Sequence, residues 1–219
     1  MEPPKLLVAT ANPGKILEFR DLLAGLPCRI TGLNDEGISS EVAETGATFE
    51  DNARLKAEAY AAVAGLVTLA DDSGLEVDAL GGRPGVHSAR YGGPGLSDED
   101  RVQLLLRELA GVPGVRRTAR FICVIALAAP AQETRLVRGE CEGRIAFAPR
   151  GSNGFGYDPV FLLPDRGLTT AELPPAEKHE MSHRGAASRA ARPLILSFLG
   201  SWHSPTGVWL QGSTPPGGL

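Results

Sequence analysis

The run Asp71-Asp72-Ser73-Gly74 is where the sequence offers chemistry most directly. It follows the apolar stretch from Leu66 to Ala70, so two adjacent carboxylates arrive at what reads as the C-terminal end of a buried strand. Carboxylates at such a rim can hold a hard cation such as magnesium, which takes one or two protein acids and keeps waters and phosphate oxygens as its other ligands. An attacking water needs a base or a metal to lower its pKa, and Asp72 can serve either purpose. Successive strand residues point to opposite faces, so one acid would face the site and the other support it, unless the strand has already ended. Asp-Asp-Ser-Gly is also good turn chemistry, and taken alone a solvated turn explains it as well.

A second constellation is Thr10-Ala11-Asn12-Pro13-Gly14-Lys15, set where a short apolar strand feeds a helix. Backbone N–H groups at a helix N-terminus, aided by the dipole, bind phosphate oxygens. Lys15 would add a full charge, and Thr10 and Asn12 neutral hydrogen bonds. The pattern is not a Walker A loop, because Lys15 is followed by Ile16. An ordinary turn with a surface lysine is the alternative. Glu41 and Glu44 precede the helix that carries Lys56, and either complete a metal site or form an exposed acidic loop.

The Gly-rich run Gly151-Ser152-Asn153-Gly154-Phe155-Gly156-Tyr157-Asp158-Pro159 exposes two aromatics. Stacking on a flat heterocycle is worth about 1–3 kcal/mol per base; the alternative is a hairpin turn whose rings pack back on the sheet. Lys178-His179-Glu180-Met181-Ser182-His183-Arg184 then gathers cations and imidazoles just before and at the start of a last helix. All are donors that suit an acceptor-rich base edge or a phosphate. A polar helix start capped by Ser182 is the plainer explanation.

The elements that must position these groups follow from periodicity. Lys5 to Ala11 reads as a strand, and Ile16, Phe19, Leu22, Leu23 and Leu26 recur at helical spacing between Lys15 and Leu26. Arg29 to Leu33 reads as a second strand. Thr48 caps a helix to Ala64 that presents Phe49, Ala53, Ala57, Tyr60 and Ala64 on one face, and Gly65 stops it. The spacing further predicts loop from Leu75 to Pro94 and a helix from Ser97 to Leu109. Paired strands follow at Thr118 to Ala128 and Leu136 to Glu142, and a final helix at His183 to Leu199. Strands alternate with helices early and crowd together late. This predicts an α/β fold with a mixed sheet flanked by helices and a ligand at the C-terminal ends of the early strands. Residues 1–200 form the expected domain, and 201–219, with Trp202 and Trp209, an extension.

Bulk composition narrows the class. The 219 residues are 42% hydrophobic and 22% charged, as in a soluble globular protein. No apolar run reaches the ~20 residues that cross a bilayer, and the N-terminus shows no secretory signal, so no membrane and a cytoplasmic setting are expected. Cys28, Cys123 and Cys141 sit in apolar segments and read as reduced thiols. A net charge of −4 argues against a nucleic acid polymer as partner but leaves room for a small polyphosphate. Only four of the 22 basic residues are lysine, and three of them, Lys15, Lys56 and Lys178, fall inside these segments.

Together the segments LLVATANPGK, ETGATFEDNARLKA, LADDSGLEVDALGGRPGVHSARYGG, GFGYDPVF and AELPPAEKHEMSHRG resemble the inosine triphosphate pyrophosphatase family, the dITP/XTP pyrophosphatases, from residue 6 to about 190. The resemblance implies an elongated two-lobed single domain with the active-site cleft between the lobes. It implies magnesium-dependent hydrolysis of non-standard purine nucleoside triphosphates (ITP, dITP, XTP) to the monophosphate and pyrophosphate, and a homodimer. Carried over, Thr10, Ala11, Asn12, Pro13, Gly14, Lys15 and Lys56 would bind substrate, chiefly its phosphates. Asp72 would be base and metal ligand, with Asp71 and Glu44 supporting the metal. Ser73 would contact substrate, Phe155 would stack on the base with Gly156, Tyr157 and Asp158 continuing its pocket, and Lys178, His183 and Arg184 would read the base edge. Two other readings remain: a pyrophosphatase for modified pyrimidine triphosphates, and a nucleotide-binding regulator without catalysis.

Overall fold

The computed structural model describes residues 2–201; Trp202, Trp209 and the rest of the expected extension lie outside the described residues. The chain opens as β1 (Lys5–Val8), α1 (Pro13–Leu22) and β2 (Arg29–Gly32), with β1 and β2 parallel. Pro13 and an Asn12 cap start α1 after a four-residue connection from β1, earlier than apolar spacing alone indicates. Helix α2 (Phe49–Ala64) has the expected limits. The Thr48 hydroxyl accepts from the Asp51 amide, Glu50 and Asp51 sit at the positive end, and Gly65 closes the helix at φ 63°.

The next strand departs from expectation. β3 (Val67–Val77) does not stop before the acidic pair but runs straight through it. Ser73 and Gly74 have turn propensity, yet ten consecutive residues of β3 pair antiparallel with β4 (Thr118–Ala128), and that ladder overrides it. Gly74 is needed for close approach: a methyl group there would strike the Gly85 carbonyl, and the Ser88 hydroxyl at 2.6 Å. The loop expected from Leu75 therefore begins only after Val77.

Helix α3 (Asp98–Glu108) starts from a Ser97–Asp100 capping box. β5 (Arg135–Ile145) pairs with β4, and two short strands, β6 (Phe161–Leu163) and β7 (Leu168–Thr169), complete one seven-stranded sheet in the order β2-β1-β3-β4-β5-β6-β7. A short helix, α4 (Pro175–Met181), precedes α5 (His183–Ser201), and the Ser182 hydroxyl accepts from the Gly185 amide as a cap would. The sheet is mixed and open, with helices on both faces, as expected.

Alternation on the strands divides the core. Leu6, Val8, Leu69, Cys123 and Ile125 face Phe19 and Leu23 from the α1 side and Ala187, Ala191 and Ile195 of α5. Leu7, Ala70, Ile122 and Val124 face Phe49, Ala53, Ala57 and Tyr60 of α2. Further along the same long strands, Leu75, Val77, Ala119 and Phe121 join Val102 and Leu105 of α3, Tyr157 and Phe161 in a third cluster. A cleft that runs past Asp72, Leu75 and Phe121 opens where the third cluster meets the first two. Cys123 and Cys141 are buried free thiols and Cys28 is a half-buried one.

Candidate active site

The cleft is lined by Asn12, Lys15, Glu44, Asp72 and Ser73 toward the parallel strands, and by Val86, Phe121, Phe155, Lys178, His183 and Arg184 toward the other end. Both acids of the pair are buried within β3, so strand alternation sends them to opposite faces.

Asp72 faces α2. Its Oδ2 accepts from Asn52 Nδ2 at 3.1 Å, and its Oδ1 lies 3.5 Å from Lys56 Nζ. Asn52 and Lys56 are one helical turn apart, which puts both on the face that meets the carboxylate. Lys56 also binds Glu44 Oε1 at 2.6 Å, so one ammonium stands between two carboxylates. Burial pushes the Asp72 pKa up and the Glu44 charge adds to the rise; Lys56, Lys15 and Asn52 pull against it without cancelling it. Burial also raises Glu44, but Lys56, Lys15 and Arg90 outweigh that and leave its pKa lowered.

Asp71 faces α1 and α5. Lys15 Nζ lies 2.9 Å from its Oδ2, Arg184 Nη2 3.6 Å, and the Ser73 hydroxyl donates to the same oxygen. Burial opposes its charge, but Lys15, Arg184, Lys56 and Ser73 prevail and hold the carboxyl well below its ordinary range. Adjacent acids thus have pKa values driven apart, the signature of two carboxylates with different work. Asp72 and Glu44 converge; the structure does not bring the Asp71 carboxylate to them. Among the described residues no three His, Cys, Asp or Glu side chains gather as a metal cage.

At the other end the Phe155 ring is half-buried, with Lys178 Nζ 5.1 Å and Arg184 Cζ 5.7 Å from its centroid. It lies against Gly14, where a methyl group would meet the ring at 2.8 Å. Tyr157 lines the same cleft next to Phe155 and also packs into the third cluster, its hydroxyl donating to the Ser88 carbonyl at 2.9 Å. The Gly156 amide donates to Asp98, at 2.9 Å. Asp158 is buried and accepts from the Phe155 amide (2.9 Å), Lys178 Nζ (2.6 Å) and Thr170 Oγ1 (2.9 Å), so it fixes the loop and the lysine together.

Lys178 also binds Glu18 Oε1 at 2.8 Å, and Arg184 binds Glu18 Oε2 at 2.5 Å. Burial lowers the Lys178 pKa, but Asp158 and Glu18 more than restore it. His183 stacks on Phe121, with ring centroids 4.7 Å apart. Burial, then Arg184 and Lys178, hold its pKa well below the usual value, so the imidazole is neutral. Two polar atoms here are buried without a partner, His183 Nδ1 and Arg184 Nε. Such atoms are costly unless a ligand satisfies them.

The phosphate-loop residues are arranged differently from expectation. Asn12 Oδ1 accepts from the Gly14 and Lys15 amides at 2.8 and 3.1 Å, and Thr10 Oγ1 accepts from the Asn12 amide at 3.2 Å. The first amides of α1 are thus capped from within the chain. Thr10, Ala11 and Pro13 line an adjoining groove that shares Asn12 with the cleft and also holds Glu41, which separates Glu41 from Asp72 and leaves Glu44 beside it.

A sequence model of the Ham1 family matches residues 6–194. The chain belongs to the Ham1 family. It is also similar over most of its length to curated dITP/XTP pyrophosphatases. It is 50% identical to one from Exiguobacterium sibiricum over 196 residues, 90% of this chain and 99% of the relative. It is 55% identical to one from Symbiobacterium thermophilum over 187 residues, 85% and 92% of the two. The Ham1 protein of Staphylococcus aureus superposes with a TM-score of 0.79 at 39% identity, covering 88% of this chain and 98% of that one.

For this Ham1-family chain, sequence reasoning missed Glu18, Asn52 and Phe121. Helical spacing held a signal for two of them. Glu18 lies three residues after Lys15, and Asn52 four before Lys56, so each shares a helix face with a lysine already singled out.

Proposed function

We propose that this chain hydrolyses non-standard purine nucleoside triphosphates (ITP, dITP and XTP) to the monophosphate and pyrophosphate, in keeping with its similarity to dITP/XTP pyrophosphatases. The observation that carries the reading is Asp72: a buried carboxylate with a raised pKa, set beside Lys56 and Glu44 in the cleft that also holds Phe155. A base with a pKa drawn toward neutrality is better matched to taking a proton from water.

Asp72 accepts that proton as the water oxygen bonds to the α-phosphorus. The bond from that phosphorus to the bridging oxygen breaks, and pyrophosphate departs with the electron pair. Lys15 and Lys56 flank this place and offset the charge that grows on the phosphate oxygens. Asp72 and Glu44 supply the hard oxygen donors magnesium prefers, and the crowding of two carboxylates around one lysine fits an added cation. Magnesium bound there would lower the pKa of the water and screen the phosphates. Asp71 supports the arrangement from the opposite face by holding Lys15 and Arg184.

Phe155 stacks on the base. Lys178 and Arg184, donors at the Phe155 end of the cleft, would bond a 6-keto oxygen, whereas a 6-amino group would bring hydrogens against hydrogens and leave them unpaired. The family likeness further supports a homodimer. No described helix is long and apolar enough to cross a membrane. A release assay with magnesium across ITP, dITP, XTP, dATP and dTTP tests the reading. Pyrophosphate from the first three and little from the last two is expected; orthophosphate, or a preference for dTTP, would sink it.

A further inference from the structure

Glu44 sits in a segment with little structure of its own. From Gly37 to Ala47 the chain forms neither helix nor strand. What ties it down near Glu44 is the Gly46 amide on Asn52 Oδ1 at 2.8 Å and a short turn from the Thr45 amide to the Ala43 carbonyl. Lys56 holds one carboxylate oxygen; Arg90 holds the other. Arg90 Nη1 donates to Glu44 Oε2 at 3.1 Å, and Nη2 to the Glu44 main-chain carbonyl at 3.5 Å.

The platform beneath Arg90 is firm. Ser88, two residues before it, accepts from the Leu75 amide of β3 at 2.8 Å, donates to the Gly85 carbonyl at 2.7 Å, and receives the Tyr157 hydroxyl on its carbonyl. Tyr91, just after it, donates to Glu108 of α3 at 2.6 Å. One guanidinium therefore reaches from an anchored segment after β3 to both the side chain and the backbone of a residue in a loosely tied segment before α2. A pair 45% and 27% exposed contributes little to global stability. Its effect is local.

We propose that Arg90 is a positioning residue for Glu44, fixing the carboxylate in the orientation that places it beside Lys56 and Asp72. This rests on the reading of Asp72 and Glu44 given above. A lysine at the position would keep the charge but not the fork that makes both contacts at once.

Arg90→Gln and Arg90→Lys, alone and with Glu44→Gln, carry the test in the full chain. In Arg90→Gln, exchange of the Thr45 and Gly46 amides, the two hydrogen-bonded amides beside Glu44, should quicken about tenfold while Tm stays unchanged, a population shift of about 1.4 kcal/mol at that segment alone. Turnover of ITP should fall about tenfold with IMP affinity as in wild type, Arg90→Lys should lie between, and adding Arg90→Gln to Glu44→Gln should bring no further loss. Wild-type exchange in the segment overturns the proposal. So does a full additional loss in the Glu44→Gln background, which would assign Arg90 to the substrate itself. If wild type releases no pyrophosphate from ITP, the functional reading fails, while the exchange result still decides whether Arg90 fixes Glu44.

Discussion

Asp71 and Asp72 are neighbours on one strand, yet their carboxylates leave the sheet on opposite faces, one held by Lys15 and Arg184, the other by Asn52 and Lys56. Burial acts on both. Cations win at Asp71 and lose at Asp72, which leaves one acid with a depressed pKa and the other with a raised one.

Asparagine substitutions should separate the two. Asp72→Asn should lose turnover by about 10²–10⁴, the usual worth of a general base, while still binding nucleotide. Its Tm should hold or rise, because burial disfavours the charge that is removed. Asp71→Asn strands Lys15 and part of Arg184 and should cost about 3–5 kcal/mol in denaturant unfolding, as removal of one partner from a buried pair does. Equal Tm losses in both variants would contradict the division.

The pH profile follows from the same directions. A base must be deprotonated to work, so the acid limb of kcat/KM should lie above the ordinary aspartate pKa of about 3.9. Asp71 acts on stability with the opposite sense. Its folded pKa is depressed, so the stability it adds is present above its unfolded value and lost as pH falls toward the folded one. Acid should therefore inactivate the enzyme reversibly before it unfolds it. Coincident loss of activity and fold on lowering pH would count against both assignments.

Phe155 and Gly14 should be coupled through their contact. Phe155→Leu should raise KM for ITP by roughly 5- to 150-fold, the equivalent of 1–3 kcal/mol of stacking. Gly14→Ala crowds the ring at 2.8 Å and should raise KM in wild type, but less in the Phe155→Leu background, where the ring is gone. Steady-state kinetics on the four proteins checks this; additive effects would separate the two residues.

Lys178→Ala should raise KM for ITP while leaving inhibition by inorganic pyrophosphate unchanged, because the lysine lies at the base end with Phe155. It also leaves Asp158 and Glu18 short of a cation, so thermal stability should fall. Unchanged KM would remove Lys178 from the base pocket.

Much of this was legible before any coordinates. Thr48 and Gly65 bracket α2 because a cap and a left-handed glycine are local signals. The β3 limit was not legible, because Ser73-Gly74 reads as a turn until its partner strand is known, and pairing at long range reverses the local preference. The same gap hid Arg90, which acts on Glu44 far along the chain with no spacing rule to connect them. It also hid the partners of Glu18, whose helix face with Lys15 is legible but whose bonds to Lys178 and Arg184 are not. Tyr157 shows a residue with two roles: it lines the cleft beside Phe155, as its place in the loop indicates, and its buried ring also joins the core.

The most direct test of the central claim is where solvent oxygen goes. ITP should be hydrolysed with magnesium in water enriched in oxygen-18 and both products analysed by mass spectrometry. Attack at the α-phosphorus by water activated at Asp72 predicts one labelled oxygen in IMP and none in pyrophosphate. Label in pyrophosphate, or release of IDP and labelled orthophosphate, would contradict it.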